Sequence, residues 1–147
     1  MYMVFKNKYY QRLYDEWKQH GKIIIAIDFD DTISPWKFKS EDDLVEIEKT
    51  INIVKTAKQI GAYLVIFTAC NEDRYEDILK YCNHKGLEID AINRTPLDLP
   101  YGNTNKIYAN IFLDDRAGLI EAVEMLEDTM YKIRAYKYSQ VHRDEIG

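Results

Sequence analysis

The chain has 147 residues, 46% of them hydrophobic and 31% charged, and a formal net charge of −5. This length supports one domain with one core, and the apolar content excludes a disordered chain. The acidic balance argues against non-specific binding to nucleic acid or membrane, both of which need cationic surface.

Phe5, Tyr9, Leu13 and Trp17 recur four apart, with Tyr10 and Tyr14 beside them. That spacing predicts an N-terminal helix over about residues 5–19, ended by Gly21. Ile23–Ile27 is a short β-branched run and reads as a buried strand. Ser40 and Asp43 have the spacing of a variant capping box. They open a helix whose apolar positions are Leu44, Ile47, Ile51, Val54 and Ile60, stopped by Gly61. Residues 62–67 read as a second buried strand. Asn71 is placed to cap a helix running to about Lys85, and Gly86 stops it. Residues 87–92 form a third strand candidate. Residues 94–105 carry two proline turn signals and read as a loop, long enough to be functional. Residues 109–113 make a fourth strand. A helix follows from Ala117 to about Asp128, with Leu119, Ile120, Val123 and Leu126 inward. Residues 131–136 alternate like an edge strand.

Strand and helix alternate, which predicts an α/β fold. The expectation is a three-layer, Rossmann-like sandwich: a mainly parallel five-stranded sheet, helices on both faces, one domain over 1–147 and a core over about 22–136. No run approaches the roughly eighteen apolar residues that cross a bilayer. The start lacks the pattern of a secretory signal, and two cysteines make no disulfide framework or zinc set. A cytoplasmic location is therefore expected. Neither GxGxxG nor GxxxxGK[ST] occurs, which removes dinucleotide and P-loop readings.

In parallel sheets the chemistry collects at the carboxyl ends of the strands. Here the first strand ends in Asp28-Phe29-Asp30-Asp31-Thr32, the second in Thr68, and the fourth in Asp114-Asp115-Arg116, with Lys106 shortly before it. Carboxylates grouped without a cation raise one another's pKa values. The simplest remedy is a hard divalent cation, and an oxygen-only ligand set favours magnesium. Thr68 and Lys106 suit the oxygens of a phosphoryl group, as hydrogen-bond donor and charge. A carboxylate nucleophile at Asp28 would split a hard hydrolysis into two easier steps, while Asp30 handles the leaving-group proton.

These residues resemble the haloacid dehalogenase-like hydrolases, mostly magnesium-dependent phosphatases, over about residues 22–136. The apolar run before Asp28-Phe29-Asp30-Asp31-Thr32 is similar to the family's first motif, hhhhDxDxT, and Leu64–Thr68 to its second. Lys106 matches the third, and Ile111–Asp115 the fourth. The resemblance implies Asp28 as nucleophile and Asp30 as general acid/base. It implies a magnesium site drawing on Asp28, Asp30 (through its backbone carbonyl), Asp114 and Asp115, with Thr68 and Lys106 on the phosphoryl group. Asp31 stands where the family usually has glycine, and Asp tolerates the left-handed backbone better than most residues. Neither intermotif gap has room for a large cap domain, so residues 33–40 and loop 94–105 are the candidate lids.

The reading is thus a magnesium-dependent phosphomonoester hydrolase. Small phosphorylated substrates such as nucleotides or sugar phosphates rank ahead of nucleic-acid ends, given the acidic charge. The alternatives are a phosphoacceptor, receiver-like domain and a catalytically idle binding module. Receiver domains place their acidic pair early, which disfavours the first; the intact charged set argues against the second. Trp36, Lys37 and Tyr101 are candidate substrate contacts. Cys70 reads as structural, because position 76, where a cysteine phosphatase needs Arg, is Glu.

Overall fold

A computed structural model describes residues 3–37, 39–95 and 107–146, with 144–146 traced as helix only. The first helix, α1 (Lys8–His20), starts where the Asn7 side chain accepts the N–H groups of Tyr9 and Tyr10. It ends at Gly21, whose φ of 72° makes the left-handed cap. Tyr10, Leu13, Tyr14 and Trp17 form its buried stripe, while Tyr9 faces outward.

Strand β1 (Ile23–Asp28) runs parallel to β2 (Ala62–Phe67) in a register that pairs Ile23 with Ala62 and Asp28 with Phe67. On its other side β1 pairs with β4 (Ile111–Leu113), Ile27 opposite Leu113. The short β3 (Ala91–Ile92) pairs with β2. The sheet order is β3-β2-β1-β4, all parallel. Between β1 and β2 lies α2 (Glu41–Gln59), opened by the expected capping box of Ser40 and Asp43. A 3₁₀ turn (Glu72–Arg74) leads into α3 (Tyr75–His84), and α4 (Leu119–Ile146) closes the chain.

The α/β architecture and parallel sheet agree with the sequence reading, but the strand count does not: among the described residues the sheet has four strands, not five. Residues 131–136, expected as an edge strand, lie inside α4. Val123, Leu126, Met130 and Ile133 are buried at helical spacing, and Lys132 bonds Asp128 one turn back. The local alternation was overruled by a longer period of 3.6 that began upstream. Ile120, expected inward, is exposed.

The two faces of the sheet are covered differently. Ile23, Ile25 and Ile27 share one large apolar cluster with Leu13 and Trp17 of α1, Ile51 and Val54 of α2, Ile78 of α3 and Leu126 of α4. Ile24, Val65 and Ala91 point the other way and pack with Tyr63, Ile107, Tyr108 and Ala109. Helices were expected on both faces. Among the described residues the apolar partners of the second face are strand and loop residues. The connection from β3 to β4 contains residues 96–106, outside the described set. No helix described is long and apolar enough to cross a membrane.

Candidate active site

The strand register builds the site. Asp28 is level with Phe67, and Leu113 is level with Ile27, so Asp28, Thr68 and Asp114 come out at one edge on three adjacent strands. After Asp28 the chain turns tightly. The Phe29 carbonyl accepts the N–H groups of Thr32, Ile33 and Ser34, and the Asp31 N–H returns to the Ser34 carbonyl at 2.7 Å. Helix α3 pins this turn from beneath. Tyr81 donates its hydroxyl to the Ile33 carbonyl at 2.6 Å and sets its ring edge-on to buried Phe29. Ile33 is itself fully buried, so it belongs to the core and not to a lid.

Asp28, Asp114 and Asp115 each offer a carboxylate oxygen within 4.8 Å of the others. Thr32, with no exposed surface, joins them. Its Oγ1 is 3.1 Å from Asp28 Oδ2 and 3.3 Å from Asp115 Oδ1, and it accepts the Asp115 N–H at 3.1 Å. A single hydroxyl hydrogen serves one carboxylate at a time, so repulsion between the acids is only partly relieved. Burial, a side-chain hydrogen bond with Asp115 and the Asp114 charge together push the Asp28 carboxyl up to about 7, against an ordinary 3.8. Three oxygen donors with no His or Cys beside them fit a hard divalent ion of the magnesium type.

The remaining expected residues divide. Asp30 stands apart from the three-carboxylate group: its carboxylate faces Arg74, with Nη1 at 3.4 Å and Nη2 at 3.5 Å. Thr68 sits at the end of β2 as expected, and its Oγ1 accepts the Cys70 N–H. Its backbone is clasped by Asn93, whose Oδ1 takes the Thr68 N–H at 2.8 Å and whose Nδ2 gives to the Thr68 carbonyl at 2.7 Å. Lys106 and Tyr101 lie outside the described residues, as do 96–105 of the candidate lid loop and Phe38 of the other.

Asp31 takes a φ of 63°, the left-handed conformation that glycine usually supplies. Its carboxylate also accepts the Trp36 N–H at 3.0 Å and pairs with Lys39 at 3.0 Å. Partial burial opposes ionisation there, but the Trp36 N–H and the Lys39 ammonium outweigh it and hold the carboxyl below its usual range. Asp31 therefore organises the segment after the turn.

Sequence reasoning missed Arg74 and Asn93. Arg74 had no motif to mark it; its significance arises from contact with Asp30, forty-four residues away. Asn93 carried one weak signal, an Asn directly after a strand, the residue type most tolerant of positive φ, here 53°.

A cleft of about 420 Å³ borders Thr32 and Asp115 between the starts of α2 and α4. Among the described residues Asp31, Asp43, Glu46, Asp115 and Glu121 line it, against the cation Lys39.

No family model and no curated protein matches this chain. Among solved structures it is similar to a conserved protein coded by a locus from Bacteroides thetaiotaomicron. The two are 25% identical, with a TM-score of 0.57 over 73% of this chain and 91% of that one. The likeness supports the α/β fold.

Proposed function

We propose that this chain is a magnesium-dependent phosphomonoester hydrolase of the haloacid dehalogenase-like kind, working through an aspartyl-phosphate on Asp28. The observation that carries the reading is the meeting of Asp28, Asp114 and Asp115 at one sheet edge, with Asp28 held near pKa 7 and Thr68 on the adjacent strand. A structural acid pays nothing for being exposed. Three acids turned toward one another around a buried threonine cost stability and need a compensating role.

The chemistry follows in two steps. A carboxylate oxygen of Asp28 bonds to phosphorus, and the bond from phosphorus to the ester oxygen breaks. Asp30 gives its proton to that departing oxygen. Water then attacks phosphorus, losing a proton to Asp30, and the Asp28 carboxylate departs. The sum is ester plus water to alcohol plus inorganic phosphate. Asp28, Asp114 and Asp115, with the backbone carbonyl of Asp30, would hold magnesium, which would supply positive charge against the phosphoryl oxygens. Thr68 would hydrogen-bond the phosphoryl group, and Lys106 would add charge to it. Asp30 must turn from Arg74 to serve; both side chains are about one-third exposed and free to do so.

The test is p-nitrophenyl phosphate hydrolysis with and without magnesium, for the wild type and Asp28→Asn. Magnesium-dependent turnover abolished in the folded variant is expected. Comparable turnover in Asp28→Asn would sink the reading, and a stable stoichiometric phosphoprotein without turnover would replace it with the receiver-like one.

A further inference from the structure

Arg74 is held in an unusual setting. Its guanidinium presents two nitrogens to the two oxygens of Asp30, the parallel fork that Arg makes with planar anions. Yet both distances, 3.4 and 3.5 Å, are long beside the roughly 2.7–2.9 Å of a tight charge-assisted bond. The Lys58–Asp90 pair, by contrast, closes to 2.8 Å. One face of the guanidinium lies over the Trp36 ring, 5.1 Å from its centroid. Trp36 is 56% exposed, and its backbone is tied to Asp31. Arg74 is therefore oriented by an aromatic plane, loosely paired, and open to solvent beside the residue expected to protonate the leaving group.

We propose that Arg74 is the specificity-determining residue of this site, binding a second anionic group, a phosphate or carboxylate, on the leaving group of the phosphomonoester. The inference rests on the phosphatase reading above. The incoming anion replaces the Asp30 carboxylate on the guanidinium fork, one anion for another. Asp30 is thereby released to turn to the ester oxygen. The bonds made and broken are those already given. Substrates without the second anion leave Asp30 engaged and bind more weakly. Asp31 contributes indirectly, because its bond to the Trp36 N–H sets the ring against which Arg74 lies.

Competition experiments test this, with magnesium in excess and p-nitrophenyl phosphate as the reporter. Two matched pairs serve as inhibitors: 3-phosphoglycerate against glycerol 3-phosphate, and fructose 1,6-bisphosphate against fructose 6-phosphate. The first pair isolates a carboxylate and the second a phosphate. For the wild type, the member of at least one pair whose leaving group carries the second anionic group should inhibit about 10- to 100-fold more tightly, the worth of a charge-assisted hydrogen-bonded pair. Arg74→Gln should bring that ratio close to one, and Arg74→Lys should recover part of it. Equal inhibition within both pairs, or a preference that survives in Arg74→Gln, overturns the proposal. Absence of any wild-type reporter turnover instead overturns the phosphatase reading itself, and the two failures are read from different measurements.

Discussion

Asp115 donates its backbone N–H to the Thr32 hydroxyl oxygen at 3.1 Å, tying the turn after β1 to the turn after β4 across eighty-three residues of chain. Thr32 is fully buried, and the same oxygen lies within hydrogen-bond reach of Asp28. One hydroxyl therefore sets the spacing of two of the three clustered acids. Replacing it by a group of equal shape removes the tie without a cavity. Thr32→Val should cost about 1–3 kcal/mol, because it leaves an N–H and charged acceptors without their partner. It should also lower magnesium-dependent turnover by roughly tenfold or more, as loss of a positioned hydrogen-bonding group does. Urea denaturation and steady-state kinetics check the two parts; an unchanged unfolding midpoint would contradict the first.

The acid cluster also predicts a pH dependence. Folding raises the Asp28 pKa from 3.8 to about 7, with burial as the largest cause. Between those values the folded chain holds a proton that the unfolded chain has released. The linked stability is therefore complete below the unfolded value and is lost as pH rises through about 7. In chelator, the wild type should lose thermal stability relative to Asp28→Asn as pH climbs from 4 to 8. Magnesium should restore it most at the high end, where its ligands are ionised. Parallel melting curves for the two proteins across that range would refute this.

In the proposed mechanism, Asp30 separates the two chemical steps. p-Nitrophenolate leaves readily without a proton, so the first step survives loss of the acid, whereas water still needs a base in the second. Asp30→Asn should reduce turnover of p-nitrophenyl phosphate by about 10²- to 10⁴-fold. It should also accumulate phosphoprotein, visible by intact mass after acid quench. A comparable loss with no phosphoprotein would assign Asp30 to the first step alone.

Asn93 closes the β2 edge with its side chain while its own backbone sits at φ 53°. Asn93→Gly keeps the conformation and loses the clasp; Asn93→Ala loses both. Both should destabilise, alanine more, by about 1 kcal/mol over glycine for the left-handed strain. Thermal denaturation orders them, and equal losses would mean that the clasp alone matters.

Much of the fold was legible from local pattern. The bounds of β2 were read residue for residue, because Ala62–Phe67 is a continuous apolar run between Gly61 and polar Thr68. The start of α2 was readable because capping is a three-residue interaction. Residues 131–136 were not, since a short alternating window is compatible with a helix whose buried positions begin at Val123. β3 proved shorter than residues 87–92: Leu87 turns into the core instead, and its N–H bonds the Cys82 carbonyl at the end of α3.

The candidate site divides the same way. The sequence by itself determined that acids follow two apolar strands and a threonine follows a third, because strand ends are marked by local polarity. Only the tertiary structure decided which of those acids meet. The parallel register levels Leu113 with Ile27 and so brings Asp114 and Asp115 to Asp28. Asp30, two residues from Asp28 and expected to share its surroundings, faces Arg74 instead. A carboxylate goes to the charge nearest in space, and nearness between residues from different strands is a property of register and packing that no local window contains.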